Sequence, residues 1–106
     1  MFTIKKIYSP NYNEWEKLVN YIKNSLSKKV KIWDILVIEW FIWNKYHYHS
    51  VIVKNVDVNN DIIVVENPYT PKENNLIRTL SRAPERHIRY IISETSKLKK
   101  IYFNNN

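Results

Sequence analysis

No glycine occurs in the 106 residues of this chain. Glycine enters left-handed backbone without steric cost, so every tight turn here is expected to use Asn, Asp, Ser or Pro instead. The same absence removes the Walker and dinucleotide phosphate loops, which need glycine for close backbone approach. There is no cysteine either. A disulfide framework, a thiol nucleophile and a zinc–thiolate centre are therefore excluded. The length suits one domain, and we read residues 1–106 as a single domain with 103–106 frayed. At 44% apolar the chain can fill a core, and 14% of it is aromatic, with four tryptophans. The formal charge is +7. A small basic domain most often meets a polyanion, with nucleic acid first and an anionic membrane second. Met1–Lys6 holds no apolar stretch of signal-peptide length and no run reaches a membrane span, so a cytoplasmic protein without a membrane partner is expected.

The apolar pattern sets the element order. Phe2 to Ile7 alternates as a short strand, and Ser9-Pro10-Asn11 breaks it. Asn11 or Asn13 can cap a helix to about Ser27, with Trp15, Leu18, Val19, Ile22 and Leu26 on one stripe. Ile32 to Trp43 and Tyr46 to Val53 read as two strands of a hairpin joined around Asn44-Lys45. Ile62 to Glu66 adds a strand. Asn67 to Arg82 reads as a polar loop with a short helical turn near Leu76 to Leu80. Pro84 opens a final helix to about Lys99, whose inward stripe is Ile88, Ile91, Ile92, Thr95 and Leu98. The expected fold is α+β, β-α-β-β-β-α, with a mostly antiparallel sheet and two helices.

The hairpin carries the chemistry. His47 and His49 alternate with Tyr48, so both point to one face of a strand. A three-residue loop, Trp43 to Lys45, would pair Glu39 with His49 and set acid and imidazoles together. A two-residue loop would put Glu39 on the opposite face. Two imidazoles and one carboxylate suit a divalent cation with open positions. Tyr90, placed on the last helix, has Arg86, Glu94, His87, Ser93 and Lys97 as helical neighbours. Cations cluster at Lys28, Lys29 and Lys31, at Arg78, Arg82, Arg86 and Arg89, and at Lys97, Lys99 and Lys100, as phosphate contacts would require. Trp40, Trp43, Tyr46 and Tyr69 are candidates for stacking on bases.

Phe2-Thr3, Glu39, His47-Tyr48-His49 and a tyrosine about forty residues on resemble the HUH endonucleases, the Rep-like replication initiators of rolling-circle plasmids and small viruses. The resemblance implies a Rep-like fold and metal-dependent nicking and joining of single-stranded DNA. It implies that Glu39, His47 and His49 hold Mg²⁺ or Mn²⁺. It implies that Tyr90 attacks phosphorus to leave a covalent 5′-phosphotyrosine, with Tyr102 as the fallback nucleophile. A homodimer is left open. The family often carries a lysine three or four residues after the tyrosine, where this chain has Ser93 and Glu94.

Two other readings stand beside it. A basic nucleic-acid-binding module without catalysis needs only the charge and the aromatics. The run His49-Ser50-Val51-Ile52-Val53, followed by Asp61 to Asn67, resembles the histidine half of amidases of the CHAP and NlpC group. Those enzymes use a cysteine from a preceding helix, so this resemblance implies an inactive protein or a scaffold.

Overall fold

The hairpin turn organises the sheet. Trp43 and Asn44 both have positive φ, 53° and 62°. Positive φ at both central residues marks the type I′ turn, the two-residue loop whose twist matches the strands it joins. A computed structural model describes residues 2–66, 72–82 and 85–94. Its strands are β1 (Phe2–Lys6), β2 (Ile35–Ile42), β3 (Lys45–Val56), β4 (Ile62–Val65), β5 (Glu73–Asn75) and β6 (His87–Glu94). Two helices complete it, α1 (Trp15–Asn24) and α2 (Leu76–Leu80). The fold is α+β, and the six strands form one antiparallel sheet of order β1-β6-β2-β3-β4-β5.

One face of this sheet holds the core. Leu36 and Ile38 of β2, Val51 and Val53 of β3, Ile62 and Val64 of β4, and Ile88 and Ile91 of β6 are buried there. Leu18 and Ile22 of α1, Leu26 in the 3₁₀ turn that follows it, and Leu76 and Leu80 of α2 close over them. Each such side chain contributes roughly 1.5–3 kcal/mol by leaving water. The expected α1 stripe reaches the core at Leu18, Ile22 and Leu26, while Val19 lines a surface groove and Trp15 stays 46% exposed and meets Tyr12 edge-on at 5.4 Å. Asn75 caps α2, its side chain accepting from the Ile77 N–H at 3.0 Å.

The final helix expected from Pro84 to Lys99 is not formed over its central part, which is strand β6. The reason is a β-bulge. Val37 pairs with Tyr90 but Ile38 pairs with Ile88, so β6 carries one extra residue, Arg89. A bulge shifts the two-residue alternation by one position. Ile88 and Ile91 therefore both face the core, and the strand mimics helical i, i+3 spacing. Positions 83–84 and 95–106 lie outside the described residues, and so does the rest of that expectation, including Lys97, Lys99, Lys100 and Tyr102. Tyr69 lies outside them as well. Strand β5, which follows β4 by antiparallel pairing of Ile63 with Asn75 and Val65 with Glu73, was not expected within the polar loop. No helix among the described residues is long and apolar enough to cross a membrane.

Candidate functional site: two polar clusters and an aromatic ribbon

The two-residue turn decides which expected site residues meet. Ile42 pairs with Lys45, so Trp40 lies opposite His47, Glu39 opposite Tyr48 and Ile38 opposite His49. Paired residues share a face. His47 and His49 lie on the core side, while Glu39 lies on the reverse side with Tyr48. The expected three-ligand set of Glu39, His47 and His49 is therefore divided by the sheet. Among the described residues no group of three or more His, Asp and Glu is gathered as a metal would need. Tyr90 pairs with Val37 and Lys6 and shares the Glu39 side, on a strand instead of the helix expected.

Glu39 has other partners. Its carboxylate is nearly buried and meets His87 Nε2 at 3.0 Å and Arg89 Nε at 3.0 Å. Burial pushes its pKa up, but hydrogen bonds from Arg89, His87 and Tyr48 outweigh it and hold the group below the ordinary carboxylate range. Tyr48 lies opposite Glu39 in the strand pairing, and interaction with this carboxylate raises the phenol's pKa. Arg89 also lies over the Tyr8 ring at 4.7 Å, and Lys6 over the same ring at 5.5 Å. The third histidine thus takes the place beside the acid that the sequence assigned to the other two. His87 sits in register with Glu39 only because β6 is a strand.

A second cluster occupies the core side near the ribbon. Glu66, at the end of β4, is 7% exposed at its side chain. It accepts from Arg82 at 2.5 and 2.8 Å in a two-point pairing, and from Asn74 Nδ2. His49 Nε2 lies 3.1 Å away. Burial raises the Glu66 pKa, and the bonds from Arg82, Asn74 and His49 together bring it down to about 2. Beside this cluster the His47 ring stacks on Trp40, centroids 5.6 Å apart, and the Arg86 guanidinium lies 4.2 Å from the Trp40 centroid. Arg86 donates to the Thr79 carbonyl at 2.9 Å, and burial lowers its pKa. A histidine held by a carboxylate is the orienting half of a base-and-nucleophile arrangement. With no cysteine in the chain, the amidase-like half has no thiol to act on.

The cations expected to hold DNA fall into two groups. Arg82, Arg86 and Arg89 are committed to Glu66, to Trp40 and Thr79, and to Glu39. Lys28, Lys29, Lys31 and Arg78 are exposed, the three lysines between α1 and β2, and Arg78 on α2. Arg78 borders a groove lined by Trp15, Val19, Lys23 and Asp61, and none of the three histidines lines it.

The remaining feature is aromatic. The reverse side of the sheet carries Phe41 and Tyr46, in contact at 4.9 Å between centroids, then Tyr48 and Tyr90. Phe41, Tyr46 and Tyr48 are 44%, 57% and 55% exposed, and among the described residues no helix packs on this side. The glycine-free pattern hid part of this. Asn44 signalled a turn, but Trp43 at the other left-handed position did not, so the loop length could not be read. No family model, curated protein or solved structure matches the chain.

Proposed function

We propose that this chain is a basic nucleic-acid-binding domain that holds single strands on the side of its sheet that no helix among the described residues covers, without a metal-dependent cleavage step. One observation carries the reading: a row of exposed rings, Phe41, Tyr46 and Tyr48, on one face of a +7 chain. Bases stack on such rings with little sequence preference, at roughly 1–3 kcal/mol each, and cations nearby draw in the phosphates. Lys6, beside Tyr8 and paired with Tyr90, supplies charge at the β1 end of that face. Glu39 ties β2 to β6 beneath this face through His87 and Arg89.

Nicking through Tyr90 would need Glu39 on the side of His47 and His49, and the strand register opposes that. The test uses a fluorescein-labelled single-stranded oligonucleotide, with EDTA or with Mn²⁺. We expect binding in both conditions that weakens steeply with salt. Tyr48→Ala is expected to weaken it by about 5- to 150-fold, the value of one stacked base. A covalent adduct formed with Mn²⁺ and lost in Tyr90→Phe would reinstate the nickase instead.

A further inference from the structure

The tip of the β2–β3 ribbon is occupied by a residue that turn chemistry does not select. Type I′ turns favour Asn, Asp or Gly at both central positions. Asn44, at φ 62°, fits; Trp43, at φ 53°, is a bulky residue in left-handed backbone. Asn60 takes the same conformation at another turn, so the chain has a suitable residue and does not use it here. Trp43 is also 85% exposed, the most exposed of the four tryptophans. It therefore combines an unfavourable backbone with an unfavourable contact with water. Trp33 too has positive φ, 78°, but its N–H is tied to the Val53 carbonyl at 2.8 Å and the Val53 N–H to the Asp34 carbonyl at 2.8 Å. There the surrounding strand pairing enforces the conformation.

The ribbon also projects. β6 pairs with β2 only from Ile35 to Glu39, and β4 pairs with β3 only from Ile52 to Val56. From Phe41 to Tyr46 no other strand among the described residues flanks the hairpin. Residues 40–49 contain two aromatic tryptophans, three further rings of Phe and Tyr, Lys45 and two histidines, and no acidic residue. A polyanion can approach this segment without repulsion.

We propose that Trp43 is a stacking wedge that seats against an unpaired base of the single strand held on the uncovered face. The proposal rests on the nucleic-acid reading above and names where a base is gripped. Lys45, two residues beyond the wedge and paired with Ile42, gives the tip of the ribbon its positive charge. Phe41 and Tyr46 stand behind it, and Tyr48 follows at two-residue strand spacing of roughly 6.8 Å. This continuity from tip to face favours a strand of nucleic acid over a lipid surface, which would meet the tip alone.

The experiment compares wild type, Trp43→Asn and Trp43→Phe by anisotropy of fluorescein-labelled oligothymidylate and by urea unfolding. Asn suits the turn, so Trp43→Asn is expected to unfold at a urea concentration equal to or above that of wild type. It is expected to bind about tenfold or more weakly, while Trp43→Phe keeps most of the affinity. A readout that needs no variant is acrylamide quenching of wild-type tryptophan fluorescence, which is expected to fall when the oligonucleotide is bound. Wild-type affinity in Trp43→Asn, with Tyr48→Ala weakened, would overturn the wedge and leave the binding face standing. No binding by wild type would overturn both. Trp43-dependent co-sedimentation with phosphatidylserine vesicles, without oligonucleotide binding, would overturn the wedge in favour of a membrane contact.

Discussion

Replacing Glu66 with glutamine tests whether the cluster at the end of β4 is held by charge. The carboxylate is 7% exposed and has three partners, Arg82, Asn74 and His49. Its pKa drops from an ordinary 4.5 to about 2. At about 1.4 kcal/mol per pH unit this corresponds to about 3 kcal/mol of stability at neutral pH. Water reaching Arg82, whose side chain is 46% exposed, screens the pair and brings the figure nearer to about 2 kcal/mol. Because the folded pKa is depressed, this contribution is complete above the unfolded value of 4.5. It declines as the unfolded chain takes up its proton and is lost as the pH falls through about 2. Glutamine cannot ionise, and it turns an amide N–H₂ toward the Arg82 guanidinium. We expect Glu66→Gln to cost about 2–3 kcal/mol near neutral pH, the gap closing to about 1 kcal/mol near pH 3. Urea titrations followed by tryptophan fluorescence and circular dichroism, from about pH 7 down to about pH 3, measure that gap directly. A gap that stays constant with pH, or one below about 0.5 kcal/mol at neutral pH, would refute the electrostatic account.

Three further outcomes follow from the packing. Leu36→Ala empties a fully buried position beneath α1 and α2, and a loss of about 2–5 kcal/mol in urea unfolding is expected. Asn75→Ala removes the cap on α2, with an expected cost of about 1 kcal/mol, visible as a lower thermal midpoint. His87→Ala takes one partner from the nearly buried Glu39 but leaves Arg89. A loss of about 1–2 kcal/mol is expected, and no loss at all would show that the acid is satisfied without His87.

Much of the fold could be read before any coordinates. The α1 stripe, the hairpin, the third strand of the group and the helical turn at Leu76 each follow from apolar spacing within one short segment. The last element could not be read that way. Ile88 and Ile91 are three apart, as on a helix, and only pairing with β2 reveals the bulge at Arg89 that produces this spacing in a strand. The site depended on the same kind of information. Whether Glu39 meets His47 and His49 is a question of parity, and parity turns on one residue of loop length. Local propensity argued against Trp43 in left-handed backbone, so the two-residue turn was not visible in the chain.

What the amino acids determined alone was the class of the fold, the positive charge and the presence of rings and imidazoles on one hairpin. Tertiary structure decided the partners: His87 and Arg89 for Glu39, His49 and Arg82 for Glu66, and, for Phe41, Tyr46 and Tyr48, a face that no helix among the described residues covers. The physical reason is that side chains on a strand have only two faces to occupy. Spacing within a strand says which residues travel together. Which face of the sheet they share with a residue 10, 17 or 48 positions away is set only when the strands pair and their register is fixed.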